Sequence, residues 1–375
     1  MSAEKCGVST VKIKSSQQSQ ESRHSVRGTA TTRKIILAAA LVGNALLSAG
    51  GAYAAEDGKS VYLLGVTASM AGMTPPPGFY ASSFTYLYTA KAGGDAALMW
   101  TLGGPGTTLP PLGTLRLDAA LKARANVALD VASVLWVAPE KVLGGHFGFG
   151  VLAPFGYQAV DVDITAIRTL TFPDSSTLTS GRSVRISDKT FAMGDPLLTA
   201  FIGWNSGNFH WKLSGLVNIP VGSYSKNNLV SMGFNRWAAD LTGAVTWLDP
   251  KLGLEVSVAP GITFNGENPD TRYKTGTEFH VEAAVMQHFS KSFAIGVAGY
   301  HYRQLSGDSG AGAVLGSFKG EVSAIGPNLT YNFQIGKVPV FTSVRWMHEF
   351  KAKNRMAGDA GFITITVPLG GGAPH

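Results

Sequence analysis

A single cysteine, Cys6, is all the thiol the chain carries, and it lies close to the N-terminus. A disulfide framework and a paired-cysteine metal or redox centre are therefore excluded. Charge is scarce as well: Asp, Glu, Lys and Arg make up 15% of the sequence, against the usual quarter. Aromatic residues, at 10%, are too many for a disordered chain. No apolar run reaches the roughly 20 residues of a membrane-crossing helix, which excludes an inner-membrane helical bundle. The oxygens of Asn265, Glu267, Asn268 and Asp270 fall in one stretch without calcium-loop spacing, so a solvated loop, held by Arg272 or Lys274, is expected there rather than a metal site. His280 and His288 are eight residues apart, about 26 Å along a strand, too far to share one ion. Ser214 with His210 and Asn218 could be assembled into a hydrolytic trio, but no nucleophile-elbow pattern surrounds the serine. No cofactor is expected.

The N-terminal 54 residues read as a leader. Arg33-Lys34 precede the apolar run Ile35 to Val42, and Ala52-Tyr53-Ala54 supplies a small-x-small cleavage pattern, which predicts a signal peptide and a mature chain starting at Ala55. The leader holds 7 of the 31 Lys and Arg and 2 of the 24 Asp and Glu, leaving 24 basic against 22 acidic residues. The sequence pI of about 9.3 is therefore largely a property of the leader, and no nucleic-acid partner follows from it.

What is present is a long two-residue rhythm. From Trp237, one face reads Trp237, Ala239, Leu241, Gly243, Val245, Trp247 and the other Ala238, Asp240, Thr242, Ala244, Thr246. After Asp249-Pro250-Lys251 the pattern returns, with Leu252, Leu254, Val256 and Val258 against Gly253, Glu255 and Ser257. That period belongs to strands, not helices. A soluble sandwich alternates in the same way, so length decides. These runs cover about 11 to 14 residues, beyond the usual soluble strand of about 5 to 6 and near the roughly 9 to 11 that cross a bilayer at a tilt. Trp237 and Trp247 stand where an aromatic girdle would place them.

Short turns at 125–126, 155–157, 206–207, 249–251, 290–292 and 336–337 alternate with long connections at 91–113, 172–195, 220–236, 265–275, 305–318 and 351–360. Such alternation fits a transmembrane, antiparallel, up-and-down β-barrel of about 14 strands, or 12 if the 114–137 hairpin does not span. The barrel is expected over residues 79–368 with both its ends periplasmic, followed by a tail at 369–375. Residues 55–78, ending in Pro75-Pro76-Pro77-Gly78, are expected as an extended lead-in or as a plug in the lumen, since three prolines do not fit a central strand.

Several blocks resemble a bacterial family described as involved in the meta-pathway of phenol degradation. They are Pro75 to Tyr80, Met193 to Pro196, Asn218 to Tyr224, Phe264 to Glu282, Gly299 to Gly312, Gly326-Pro327-Asn328 and Arg345 to Phe350. The resemblance implies an outer-membrane, transporter-type barrel that passes hydrophobic compounds, aromatic ones among them, and brings no catalytic residues.

Ionisable residues on the polar phase of their strands are the candidates for the lumen lining: His210, Lys212, Asp240, Glu255, Glu278, His280, Glu282, His288, Arg345 and Glu349. They would form either a charged constriction that selects solutes or acid-base pairs that hold a packed lumen closed. The expectation is a bacterial outer-membrane channel for passive passage of small hydrophobic solutes, in contact with lipid. A structural or adhesive barrel with a filled lumen is the alternative, and an outer-membrane hydrolase stands behind both.

Overall fold

The computed structural model describes residues 56–102, 110, 112–313 and 316–370. The leader, its cleavage position and most of the C-terminal tail lie outside the described residues. Apart from one short 3-10 turn at Glu56–Gly58, the described secondary structure is strand.

The strands are β1 (Gly78–Leu102), β2 (Gly113–Val142), β3 (Gly145–Thr171), β4 (Thr177–Met193), β5 (Leu197–Ser206), β6 (Phe209–Asn218), β7 (Ala238–Asp249) and β8 (Leu254–Asn265). They continue with β9 (Glu267–Asn268), β10 (Tyr273–Lys274), β11 (Glu278–His288), β12 (Phe293–Gln304), β13 (Glu321–Ile335), β14 (Val338–Lys353) and β15 (Ala357–Gly370). Twelve of them close a barrel through antiparallel neighbours, in the order β1, β2, β3, β5, β6, β7, β8, β11, β12, β13, β14, β15 and back to β1. β4 stands outside that ring, and β9 and β10 form a two-residue ladder in a long connection.

The count is thus the alternative of twelve, and the reason lies in β2 and β3. The turns expected at 125–126 and 155–157 do not exist. Each is the middle of one continuous strand, and the chain reverses instead at Leu143-Gly144. The 91–113 connection is strand up to Leu102, and the 172–195 loop is mostly β4. At 30 residues, β2 spans roughly 100 Å, several times the roughly 30 Å of bilayer hydrocarbon. β1 to β4 therefore continue past the barrel as a projecting four-stranded sheet on the rim that carries the long connections.

Facial polarity inverts along those strands. In the barrel portion of β2, outward Val134 is exposed while inward Val131 and Val137 are buried. Beyond Asn126 the outward face carries Arg116, Asp118, Lys122 and Arg124, and the inward face carries buried Leu117 and Ala123. β3 changes in step: Phe149 and Val151 face outward low on the strand, and Asp161 and Asp163 higher up. Arg185 of β4 meets Asp163 at 2.6 Å across the outer face, and Ser187 donates to Asp161. An apolar outer face suits lipid and a charged one suits water or headgroups, so the inversion marks where the wall leaves the membrane.

β3 switches partner from β5 to β4 at Gly194-Asp195-Pro196. Asp195 is 2% exposed and accepts from Asn218 Nδ2 at 3.0 Å and from the backbone N–H groups of Gly222 at 2.7 Å and Phe234 at 2.8 Å. One carboxylate thereby ties the strand break to the loop after β6. Prolines inside β8 and β13 cannot donate to the ladder. Pairing lapses beside both, between Thr242 and Val245 opposite Pro260 and between Ile325 and Asn328 at Pro327.

Residues 56–77 run along the inner face of the barrel. Glu56 touches the long-connection rim at Thr275, Gly65 and Thr67 meet mid-barrel β11, Met70 meets the turn end of β8, and Lys212 donates to the carbonyl of Met73. The three prolines then deliver the chain to β1, whose Tyr80 hydroxyl donates to the Pro76 carbonyl at 2.8 Å.

Candidate functional site

The inner face divides into two sides. On the first, strands β7, β8 and β11 alternate small or polar inward residues with outward apolar ones, and the inward set holds Asp240, Glu255, Glu278, His280 and Glu282, all at 5% exposure or less. A buried carboxylate is costly unless donors surround it. Here the donors come both from the N-terminal segment and from neighbouring strands.

Glu282 accepts from the backbone N–H groups of Gly65 at 2.9 Å and Thr67 at 2.8 Å. Glu255 takes the N–H of Met70 at 2.5 Å, the hydroxyls of Ser69 at 2.9 Å and Ser257 at 2.7 Å, and faces His288 Nε2 at 2.8 Å. Glu278 accepts from Ser60, Asn265 and Tyr302 at 3.0, 3.1 and 2.6 Å. Each charge-assisted bond of this kind contributes on the order of 1.5 to 3 kcal/mol. Asp240 accepts from Thr242 at 2.7 Å and Thr263 at 2.6 Å and faces His280 Nε2 at 2.9 Å. The His280 ring stacks on Tyr62 with centroids 3.6 Å apart. Lower down, Gly72 lies so close to the wall that a Cβ would stand 2.5 Å from the His210 carbonyl oxygen.

At the long-connection rim, Glu56 closes the line. Arg236 Nη1 reaches its carboxylate at 3.1 Å, with side chains 1% and 9% exposed. Asn268 Nδ2 donates to it at 2.8 Å and Thr271 Oγ1 at 2.6 Å, while the Glu56 N–H donates to Thr275 Oγ1 at 3.1 Å. Glu267 and Asp270 are exposed, as a solvated loop requires, but Asn265 and Asn268 are buried at 8% and 0%, and for these two the expectation is corrected: Asn268 donates to Glu56 of the segment, and Asn265 donates to Glu278 and the Gly276 carbonyl. Arg272 bonds Glu267 at 2.8 Å. Among the described residues no group of three His, Cys, Asp or Glu is placed to hold a metal ion.

The second side is open. A cavity of about 540 Å³ lies between the segment and β1–β3, β5–β7 and β13–β15, and no residue of β8, β11 or β12 lines it. It runs from Asn332 and Phe341, near the β13–β14 turn, to Leu197 and Leu216, near the far ends of β5 and β6. Phe84, Val131, Leu152 and Phe201 give it apolar walls, and Val61, Leu63, Val66 and Met70 are the segment's contribution.

Of the ten candidate residues, Lys212, Asp240 and Arg345 line this cavity. Glu255, Glu278 and Glu282 bind the segment, while His280 and His288 face Asp240 and Glu255 respectively. Glu349 gathers the hydroxyls of Tyr88 at 2.7 Å and Tyr300 at 2.8 Å and the N–H of Gly358 at 2.9 Å. His210 is half-buried behind Gly72. The hydrolytic trio is not assembled: Ser214 donates to the Thr242 carbonyl at 3.3 Å, Asn218 is engaged with Asp195 and Arg236, and His210 stands four positions from Ser214, about 13 Å along the strand. Sequence reasoning missed Glu56, Arg236 and the two asparagines. Their partners lie up to 219 positions apart, and no local pattern joins them.

With this geometry in place, the comparisons are decisive about family. A family model described as putative MetA-pathway of phenol degradation matches residues 83–365. The chain belongs to that family. Among solved structures it is similar to the COG4313 outer membrane channel from Pseudomonas putida F1, with a TM-score of 0.58 at 13% identity, covering 80% of this chain and 98% of that one. A FadL homologue from Pseudomonas aeruginosa aligns with a TM-score of 0.35 at 9% identity, over 78% of this chain and 90% of that one. No curated protein matches. The chain has the fold of an outer-membrane β-barrel.

Proposed function

We propose that the protein is a passive channel for small hydrophobic molecules, aromatic ones among them, which cross the barrel beside the N-terminal segment. The observation that carries this reading is the apolar cavity of about 540 Å³ on the side free of carboxylate anchors, within the usual range of roughly 300 to 1,000 Å³ for small-molecule sites. The segment acts as a constriction fixed to one wall, which sets the bore without filling it. The family's description, tied to phenol degradation, supports aromatic cargo.

In this reading the short turns and the two barrel ends, Phe79 paired with Gly370, face the periplasm. The long connections and the projecting sheet face outward, so Glu56 sits at the outer rim once residues 1–54 have been removed.

Planar-bilayer and liposome-swelling measurements with benzyl alcohol, phenol and a sugar test the proposal. Passage of the aromatics and exclusion of the sugar is the expected result. The bonds that tie down the segment also favour a second reading, a structural barrel with a filled lumen. No passage of any solute would select it.

A further inference from the structure

We propose that the cavity is a binding site for small organic anions, an apolar body of aromatic size bearing one carboxylate. The inference rests on the channel reading only for how the anion arrives. Two cations, Lys212 and Arg345, line the cavity, and neither takes part in an ion pair among the described residues. Lys212 Nζ has one long contact, 3.4 Å to the Met73 carbonyl, and lies 5.8 Å from the centroid of the Phe201 ring. Arg345 gives Nη1 to the Val66 carbonyl at 3.1 Å and Nη2 to Thr364 Oγ1 at 3.5 Å, and its buried Nε has no partner.

Directly opposite Arg345 on β13 stands Asn328, 1% exposed, whose buried Oδ1 is also without a partner. Opposed side chains on one face are close enough to grip one group together. An amide's oxygen and nitrogen are told apart only by the network around them. With the amide turned over, Asn328 offers an N–H beside the Arg345 Nε–H, a two-donor cradle.

The counter-charge that would explain a buried Arg345 and a half-buried Lys212 is missing from the cavity wall. Its one acid, Asp240, already takes two threonine hydroxyls and faces His280. Glu282, outside that wall, attracts Arg345 through space but does not bond it, its oxygens being occupied by the N–H groups of Gly65 and Thr67. A buried cation without a counter-ion is unfavourable, and a carboxylate supplied by a ligand removes the deficit. Aromatic rings such as Phe84 and Phe341 would meet its apolar body.

The test is calorimetric titration of the full protein, purified in detergent, with benzoate and with its neutral isostere benzamide. Benzoate is expected to bind about tenfold or more tightly than benzamide, the worth of a charge-assisted hydrogen bond. Arg345→Gln should erase that preference, and Lys212→Met, across the ring from Arg345, should reduce it. Because Arg345 also holds the Val66 carbonyl, Arg345→Lys serves beside it, keeping the charge and retaining part of the preference. Equal affinities for the two probes, no binding of either, or a preference that survives Arg345→Gln would overturn the assignment. Flux measured in parallel separates the two proposals. Aromatic passage without benzoate preference sinks only the anion site; benzoate preference without passage of any solute sinks only the channel.

Discussion

The two sides of the barrel interior are built on opposite rules. β8 and β11 spend inward positions on the buried carboxylates Glu255 and Glu282, which hold the N-terminal segment by its own N–H groups. β1–β3, β5 and β6 present Phe84, Val131, Leu152, Phe201 and Leu216 to an empty space. Towards the cavity the segment receives only single bonds, from Lys212 to Met73 and from Arg345 to Val66, so its carboxylate anchors lie on one side. Glu255 and Asp240 make acid-base pairs between strands, with His288 and His280, and Glu255, Glu278 and Glu282 in addition take groups on the segment as partners. Restraint and passage are thereby assigned to different walls.

Deleting residues 56–74 should break the contrast altogether. Sugar-sized solutes, excluded by the intact protein, should enter proteoliposomes, because a twelve-stranded barrel without its inner segment keeps a wide lumen. Arg236→Met comes next. It strands the Glu56 carboxylate in a buried site, a change that costs about 3 to 5 kcal/mol where one partner of a buried pair is lost, and the N-terminal segment should become sensitive to added protease.

Glu282→Ala removes the acceptor of two backbone N–H groups and should cost about 1 to 3 kcal/mol. Hydrogen exchange at Gly65 and Thr67 should accelerate while the β7–β8 ladder stays protected. Leu152→Trp acts on the other side: aromatic flux should fall, with exchange at Gly65 and Thr67 unchanged. Arg185→Ala, on the outer face of the projecting sheet, should leave the thermal midpoint and the flux close to those of the unaltered protein.

The anchoring side was the more legible in the sequence, because the phase of Trp237 to Asn265 is unbroken and says which way each side chain points. Asp240 and Glu255 fall inward by that rule alone. β2 and β3 misled for a physical reason. Past Asn126 the outward face turns from apolar to charged, so a two-residue rhythm continues with its polarity exchanged, and Ala125-Asn126 looks like a turn. Gly156 likewise suggests a turn between Phe155 and Tyr157. Its real use is close approach, since a Cβ there would meet the Ala128 carbonyl oxygen at 2.2 Å. The contacts of Glu56 depend on where the closed barrel brings the loops at Arg236 and Asn268, which strand phase does not encode.

Solute flux through proteoliposomes of the intact protein, set beside the protein lacking residues 56–74, tests the division of labour most directly. The intact protein should already pass benzyl alcohol and phenol while excluding a disaccharide, and the truncated one should pass all three. An intact protein closed to every solute, conducting only once the segment is gone, would contradict a path beside a fixed segment.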